Sequence, residues 1–161
     1  MINLSSIINQ YGQPKAIIDY ANKDNQKTLV TDIRESIIDL AKSLKGVSYL
    51  WGGKSSFGYD CSGFVQMVLK VANVYIGRDS SLQMDTKGLV KININQAQPG
   101  DLIFFSNNNI INHVGFIMDE GKIIHCSGQV KIESIIEGTH NFNNKLSKLP
   151  KIIMSIDGLL G

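Results

Sequence analysis

Asp60-Cys61-Ser62-Gly63-Phe64-Val65-Gln66-Met67-Val68-Leu69-Lys70-Val71-Ala72 decides the fold. From Phe64 to Ala72 the run is apolar on nearly every side, interrupted only by Gln66 and Lys70. Such a segment belongs in a domain centre, as a buried helix or, given its valines, as a buried strand. Its length and the preceding Asp60, a good N-cap, favour the helix. Cys61 then stands in the first turn, where unpaired N–H groups and the helix dipole stabilise a thiolate. The same N–H groups can hold a developing oxyanion. Asp60 acts the other way, because a neighbouring carboxylate raises a thiol pKa, so a base must supply much of the activation. A cysteine in a soluble chain is commonly a small buried core residue. The loop before this one, Trp51-Gly52-Gly53-Lys54-Ser55-Ser56-Phe57-Gly58-Tyr59, is dense in small residues and leaves it open to a substrate.

Outward from this segment the two halves differ. Upstream, Ile33, Ile37, Leu40, Ala41 and Leu44 recur at helical spacing, with Asp32 and Glu35 as a capping box and Gly46 as the stop. Residues 1–30 are polar and weakly periodic, with short helices expected at Ser5 to Gln10 and Ala16 to Ala21. Downstream the pattern is β, with strands expected at Leu102 to Phe105, Val114 to Met118, Lys122 to Cys126, Val130 to Ile135 and Ile152 to Ile156. Asn107-Asn108-Asn109 reads as a loop tip. Helices first and strands later predict an α+β fold, a mostly antiparallel sheet against the buried helix.

Three histidines accompany the cysteine: His113, His125 and His140. If Asp119-Glu120-Gly121 is the hairpin loop, Met118 pairs with Lys122 and His125 lies opposite Gly115. His113 and His125 then share a face as diagonal neighbours, within reach of aromatic side chains. A loop of even length would put them on opposite faces. On the shared face, His113 can take the Cys61 proton and His125 can orient the His113 ring. His140, in Gly138-Thr139-His140-Asn141, reads as part of a solvated loop. Zinc is not expected, because no close ligand pair such as C-x2-C occurs. His125 and Cys126 should point to opposite faces, which disfavours a Cys61–Cys126 disulfide and leaves Cys126 as core.

The 161 residues suit one domain, and 43% hydrophobic content excludes a disordered chain. A net charge of +2 is too small for a nucleic-acid partner. No run of apolar residues is long enough to span a membrane. Met1-Ile2-Asn3-Leu4-Ser5 lacks a basic and apolar leader, so no signal peptide is expected. The compartment stays open.

Six motifs in order carry a resemblance over residues 33–135. They are Tyr49-Leu50-Trp51-Gly52-Gly53, Asp60-Cys61-Ser62-Gly63-Phe64-Val65, Arg78-Asp79-Ser80-Ser81-Leu82-Gln83, Pro99-Gly100-Asp101-Leu102-Ile103-Phe104-Phe105, His113-Val114-Gly115-Phe116 and Ile124-His125. Together they resemble the NlpC/P60 cell-wall peptidases. The resemblance implies a papain-like α+β fold whose central helix bears the nucleophile. It implies hydrolysis of peptidoglycan or muropeptide stem peptides, usually between γ-D-glutamate and the following diamino acid, with no cofactor. Cys61 matches the nucleophile, His113 the base and His125 the third polar residue. Tyr49 matches a tyrosine near the oxyanion. Trp51, Asp60 and Ser62 match positions that hold a free substrate amine in some members, and Arg78 and Ser80 a segment that meets the D-glutamate carboxylate. On this reading residues 31–161 form the catalytic domain and residues 1–30 an N-terminal extension, too short for the SH3-like domain many members carry. Cys126 stands where many members have alanine. Two other readings remain: a muramoyl-L-alanine amidase or acyltransferase on the same triad, and a wall-binding module without turnover.

Overall fold

The computed structural model describes residues 23–160. The helices expected at Ser5 to Gln10 and Ala16 to Ala21 lie outside them. The first helix described, α1, runs Lys23–Ser43. It begins well before the expected cap, and Asp32 lies inside it. No glycine or proline interrupts that span, so nothing local stops the helix at Asp32. Gly46 ends the segment at φ 88°, as a helix stop should. Ile37, Ile38 and Ala41 are buried, and Ile33, Leu40 and Leu44 pack against the same core.

A two-stranded hairpin, β1 Lys54–Ser55 and β2 Gly58–Tyr59, precedes the central helix α2, Cys61–Val71. The ambiguous segment is therefore a helix. Asp60 caps it, its carboxylate accepting from the Gly63 N–H at 2.6 Å. Phe64, Val65, Val68 and Leu69 are fully buried. Two further elements gave no sequence signal: the short helix α3, Ser80–Met84, and the strand β3, Val90–Ile92.

The remaining strands overlap the expected runs, with β5 starting four residues before Val114: β4 Leu102–Asn107, β5 Ile110–Ile117, β6 Lys122–Ser127, β7 Gln129–Ser134 and β8 Lys151–Ser155. A short helix, α4 Asn144–Lys148, precedes β8. The six-stranded sheet has the order β3-β8-β4-β5-β6-β7, with every neighbouring pair antiparallel. Asn108 and Asn109 both have positive φ at the β4–β5 turn, which asparagine tolerates and a tight hairpin requires. One face of the sheet (Leu102, Phe104, Val114, Phe116, Ile124 and Cys126) packs on α2 and α1. Phe64 meets Phe116 edge-on at 5.9 Å between ring centroids. The other face carries a second cluster of Ile103, Phe105, Ile117, Ile123, Leu146 and Ile153. Among the described residues no helix is long and apolar enough to cross a membrane.

Arg34 ties α1 to the sheet. It is buried and donates to Asp101 at 2.9 Å, Asp157 at 2.7 Å and the Pro99 carbonyl at 2.8 Å.

Candidate active site

The small-residue loop meets the start of α2 without a gap. A Cβ on Gly63 would stand 2.1 Å from the Gly53 carbonyl oxygen, so this contact admits glycine alone. The Asp60 N–H donates to that same oxygen. Loop and helix are thereby locked, and Cys61 sits half-buried where they join.

Backbone N–H groups of Val114, Ser62 and Cys61 itself favour the anionic sulfur. Helix α2, which begins at Cys61, packs on β5, the strand that carries His113. There the β5–β6 ladder ends, its last pair being Gly115 with His125. Among the described residues no hydrogen bond joins Cys61 to His113. Burial pushes the thiol pKa up and Asp60 adds to the rise, against the three N–H groups. The first-turn position therefore does not lower the pKa on balance.

The expected hairpin register is the observed one: Gly115 opposite His125, Phe116 opposite Ile124, Ile117 opposite Ile123. Glu120 and Gly121 both take positive φ in the connecting turn. His113 and His125 share a face, and His113 Nε2 lies 2.7 Å from His125 Nδ1. The rings cross at 85° with centroids 4.9 Å apart. A Cβ on Gly115 would come within 2.8 Å of the His125 Cβ, so glycine there makes room for the second ring. Between Phe105 and Ser106 the β4–β5 register slips, leaving Asn112 as the extra residue beside His113.

Sequence reasoning missed what lies behind the second imidazole. His125 Nε2 is 2.8 Å from the Glu133 carboxylate, which also accepts from Asn143 at 2.7 Å and Lys131 at 3.1 Å. The signal was present: β6 and β7 pair His125 with Lys131, which places Glu133 diagonally on the same face.

Burial, reinforced by His125, holds the His113 pKa down at about 3, and burial also lowers His125 against the pull of Glu133. Both rings are neutral in the folded protein at neutral pH. An unfolded chain protonates them below about pH 6.5. The unfolded state therefore binds more protons, and stability falls as pH drops below about 6.5, by about 1.4 kcal/mol per unit for each extra proton the unfolded chain holds. Asp60 and Glu133, whose pKa values lie below the ordinary range, add a further loss at lower pH. Urea midpoints should be level from pH 8 to 7 and fall below 6.5, less steeply in H113Q. Midpoints unchanged down to pH 5 contradict the neutral pair.

Of the expected binding residues, Ser62 and Arg78 meet on Asp60. Its carboxylate accepts from Arg78 Nη1 at 3.0 Å and Nη2 at 2.6 Å, from Gly52 N–H at 3.0 Å and from Ser62 Oγ at 3.2 Å, besides Gly63. Burial alone would raise its pKa, but Arg78, Gly63 and Ser62 outweigh it. Arg78 also donates to Ser62 Oγ at 3.0 Å. The guanidinium thus faces Asp60 rather than standing free, and Asp60 carries little unpaired charge. Tyr49 is half-buried, its pKa raised by burial and then by Cys61. Trp51 is 87% exposed. Ser80 is buried, its hydroxyl donating to the Ile111 carbonyl at 3.5 Å.

Cys126 points away from His125 into the α2 face, donates to the Tyr59 carbonyl at 3.1 Å, and is pushed up to about 12 by burial. His140 is exposed. Among the described residues no group of three or more His, Cys, Asp or Glu could hold a metal ion. Beside His113 lies a hollow of about 260 Å³, lined by Asn107, Asn112, Ser127, Asn143, Lys145, Leu146 and Leu149.

Comparison with known proteins adds independent findings. The model of the NlpC/P60 family matches residues 46–145. A gamma-D-glutamyl-L-lysine dipeptidyl-peptidase of Bacillus cereus is 34% identical over 104 residues, 63% of this chain and 31% of that protein. The chain thus spans about a third of the length of this curated relative. The crystal structure of the NlpC/p60 domain of the peptidoglycan hydrolase SagA matches with a TM-score of 0.61 and 30% identity, over 74% of this chain and 97% of that one. RipD of Mycobacterium tuberculosis, described as a non-catalytic NlpC/p60 domain protein adapted to peptidoglycan binding, matches with a TM-score of 0.62 at 20% identity, over 77% and 97%. That last likeness shows the fold alone, so catalysis must be argued from side chains.

Proposed function

The chain belongs to the NlpC/P60 family, and from that premise we propose that it is a cysteine peptidase of peptidoglycan stem peptides, cutting between γ-D-glutamate and the following diamino acid. The observation that carries the proposal is the helix-terminal thiol beside a strand that presents two hydrogen-bonded imidazoles. A module that only binds the wall has no use for that arrangement. The name of the Bacillus cereus relative supports the choice of bond.

In the proposed reaction the Cys61 thiol proton passes to His113 Nδ1 as the sulfur attacks the amide carbonyl carbon. N–H groups at the start of α2 receive the oxyanion. The C–N bond breaks, and the imidazolium proton goes to the leaving amine. Water, deprotonated by His113, then attacks the thioester and releases the acid and the thiol. The raised thiol pKa and lowered imidazole pKa make the resting pair neutral, so proton transfer accompanies attack.

Tyr49, Trp51, Asp60, Ser62, Arg78 and Ser80 form the proposed wall for the γ-D-glutamyl side. Asp60 acts there chiefly by holding Arg78, whose Nε edge is left for a substrate carboxylate. The hollow beside His113 takes the departing diamino acid. Digestion of purified muropeptides followed by mass spectrometry tests this reading. The expected products end in γ-D-glutamate and begin with the diamino acid, and Cys61→Ala should reduce their formation at least a thousandfold. Fragments cut at the muramoyl–L-alanine bond mean an amidase instead, and wild-type turnover by C61A ends the cysteine mechanism.

A further inference from the structure

We propose that Glu133 is a positioning residue, whose carboxylate sets which nitrogen of His125, and through it of His113, carries the proton. The inference rests on the peptidase reading only for the purpose of the chain, not for its geometry.

An ionised carboxylate accepts hydrogen bonds and donates none. The Asn143 and Lys131 contacts keep Glu133 ionised in a partly buried site. At 2.8 Å from Glu133, His125 Nε2 must therefore carry its hydrogen. A neutral imidazole has one hydrogen, so His125 Nδ1 offers a lone pair. The 2.7 Å contact is then a donation from His113 Nε2–H. That leaves His113 Nδ1 unprotonated, the state a base needs. Without Glu133 the polarity can reverse: His125 Nδ1–H donates to His113 Nε2, and the His113 proton moves to Nδ1, where it cannot receive another from Cys61.

The order comes from outside the cleft. Glu133 on β7 is anchored by Lys131 of the same strand and by Asn143, which also caps α4 through the Leu146 N–H at 2.9 Å. Lys131 and His125 are the charged or titratable groups that act on this carboxylate, and Glu133 and Lys131 act on both imidazoles. A simple surface ion pair would engage Lys131 alone; here one carboxylate oxygen serves both His125 and Asn143.

The test is imidazole ¹⁵N–¹H spectroscopy of wild type, E133Q and E133A at pH 8, with Cys61 alkylation by iodoacetamide measured alongside. H113Q and H125Q assign the signals. In wild type both His113 and His125 should show hydrogen on Nε2. The side-chain amide in E133Q retains an accepting oxygen, so that variant should keep the wild-type pattern and alkylate within about threefold of wild type. E133A should show mixed tautomers, alkylation about tenfold slower, and a matching fall in kcat with little change in KM. Hydrogen on His125 Nδ1 in the wild type overturns the proposal with no variant needed, so failure of E133A to fold leaves it testable. Unchanged tautomers in E133A overturn it as well. If muropeptides are not cut but the tautomers and alkylation behave as expected, the substrate reading fails and this one stands.

Discussion

His113→Gln is expected to lower kcat for muropeptide cleavage about a thousandfold, with KM within a few-fold of wild type. The size follows from two requirements placed on one ring. Burial and Asp60 raise the Cys61 pKa, so little thiolate exists at neutral pH unless a base removes the proton during attack. In the proposed reaction the same ring must later protonate the amine, without which the tetrahedral species returns to substrate. Glutamine fills much of the volume and can still meet His125, so the fold should survive and the loss should lie in the chemical step. Steady-state hydrolysis, with circular dichroism as the control for folding, decides the matter. A variant within tenfold of wild type would show that some other group moves the proton.

The largest stability change is expected at Arg34→Ala, about 3–5 kcal/mol, because it strands a buried carboxylate. Asp101 is 1% exposed and keeps only the N–H groups of Gln98 at 2.8 Å and Ile156 at 3.2 Å once the guanidinium is gone. Asp157, the other carboxylate on Arg34, has a side chain 56% exposed, and water replaces the arginine there. Asp157→Ala should accordingly cost under about 1 kcal/mol. The two variants share an arginine and differ in burial, so their urea midpoints separate desolvation from ion pairing. Equal midpoints would show that the Asp101 contact is worth no more than a surface pair. In a domain of this size the Arg34→Ala loss corresponds to a fall in Tm of roughly 10 °C.

Much of this architecture was legible in local chemistry. The apolar run after Asp60 admits only a buried element, and its cap and length selected the helix. Alternation and the Asp119-Glu120-Gly121 turn set the register of β5 and β6, since a slip of one residue would expose every buried side chain of the pair. The imidazole pair followed from that register by counting. The α1 start was misplaced, because a good capping residue is also tolerated inside a helix. The strand β3 and the helix α3 are too short for a periodic signal.

Local pattern by itself determined the place of Cys61 at a helix start, the shared face of two histidines, and an antiparallel sheet behind a buried helix. These are properties of neighbours in the chain, fixed by 3.6- and 2-residue periods and by turn geometry. Tertiary structure alone decided the balance of charge. Arg78 turns onto Asp60 across 18 positions, and Asn143 arrives from beyond the sheet to fix Glu133 behind His125. Burial then reverses the pKa that the helix dipole would have given Cys61. Desolvation and ion pairing depend on which distant segments close over a group, and no window of sequence carries that information.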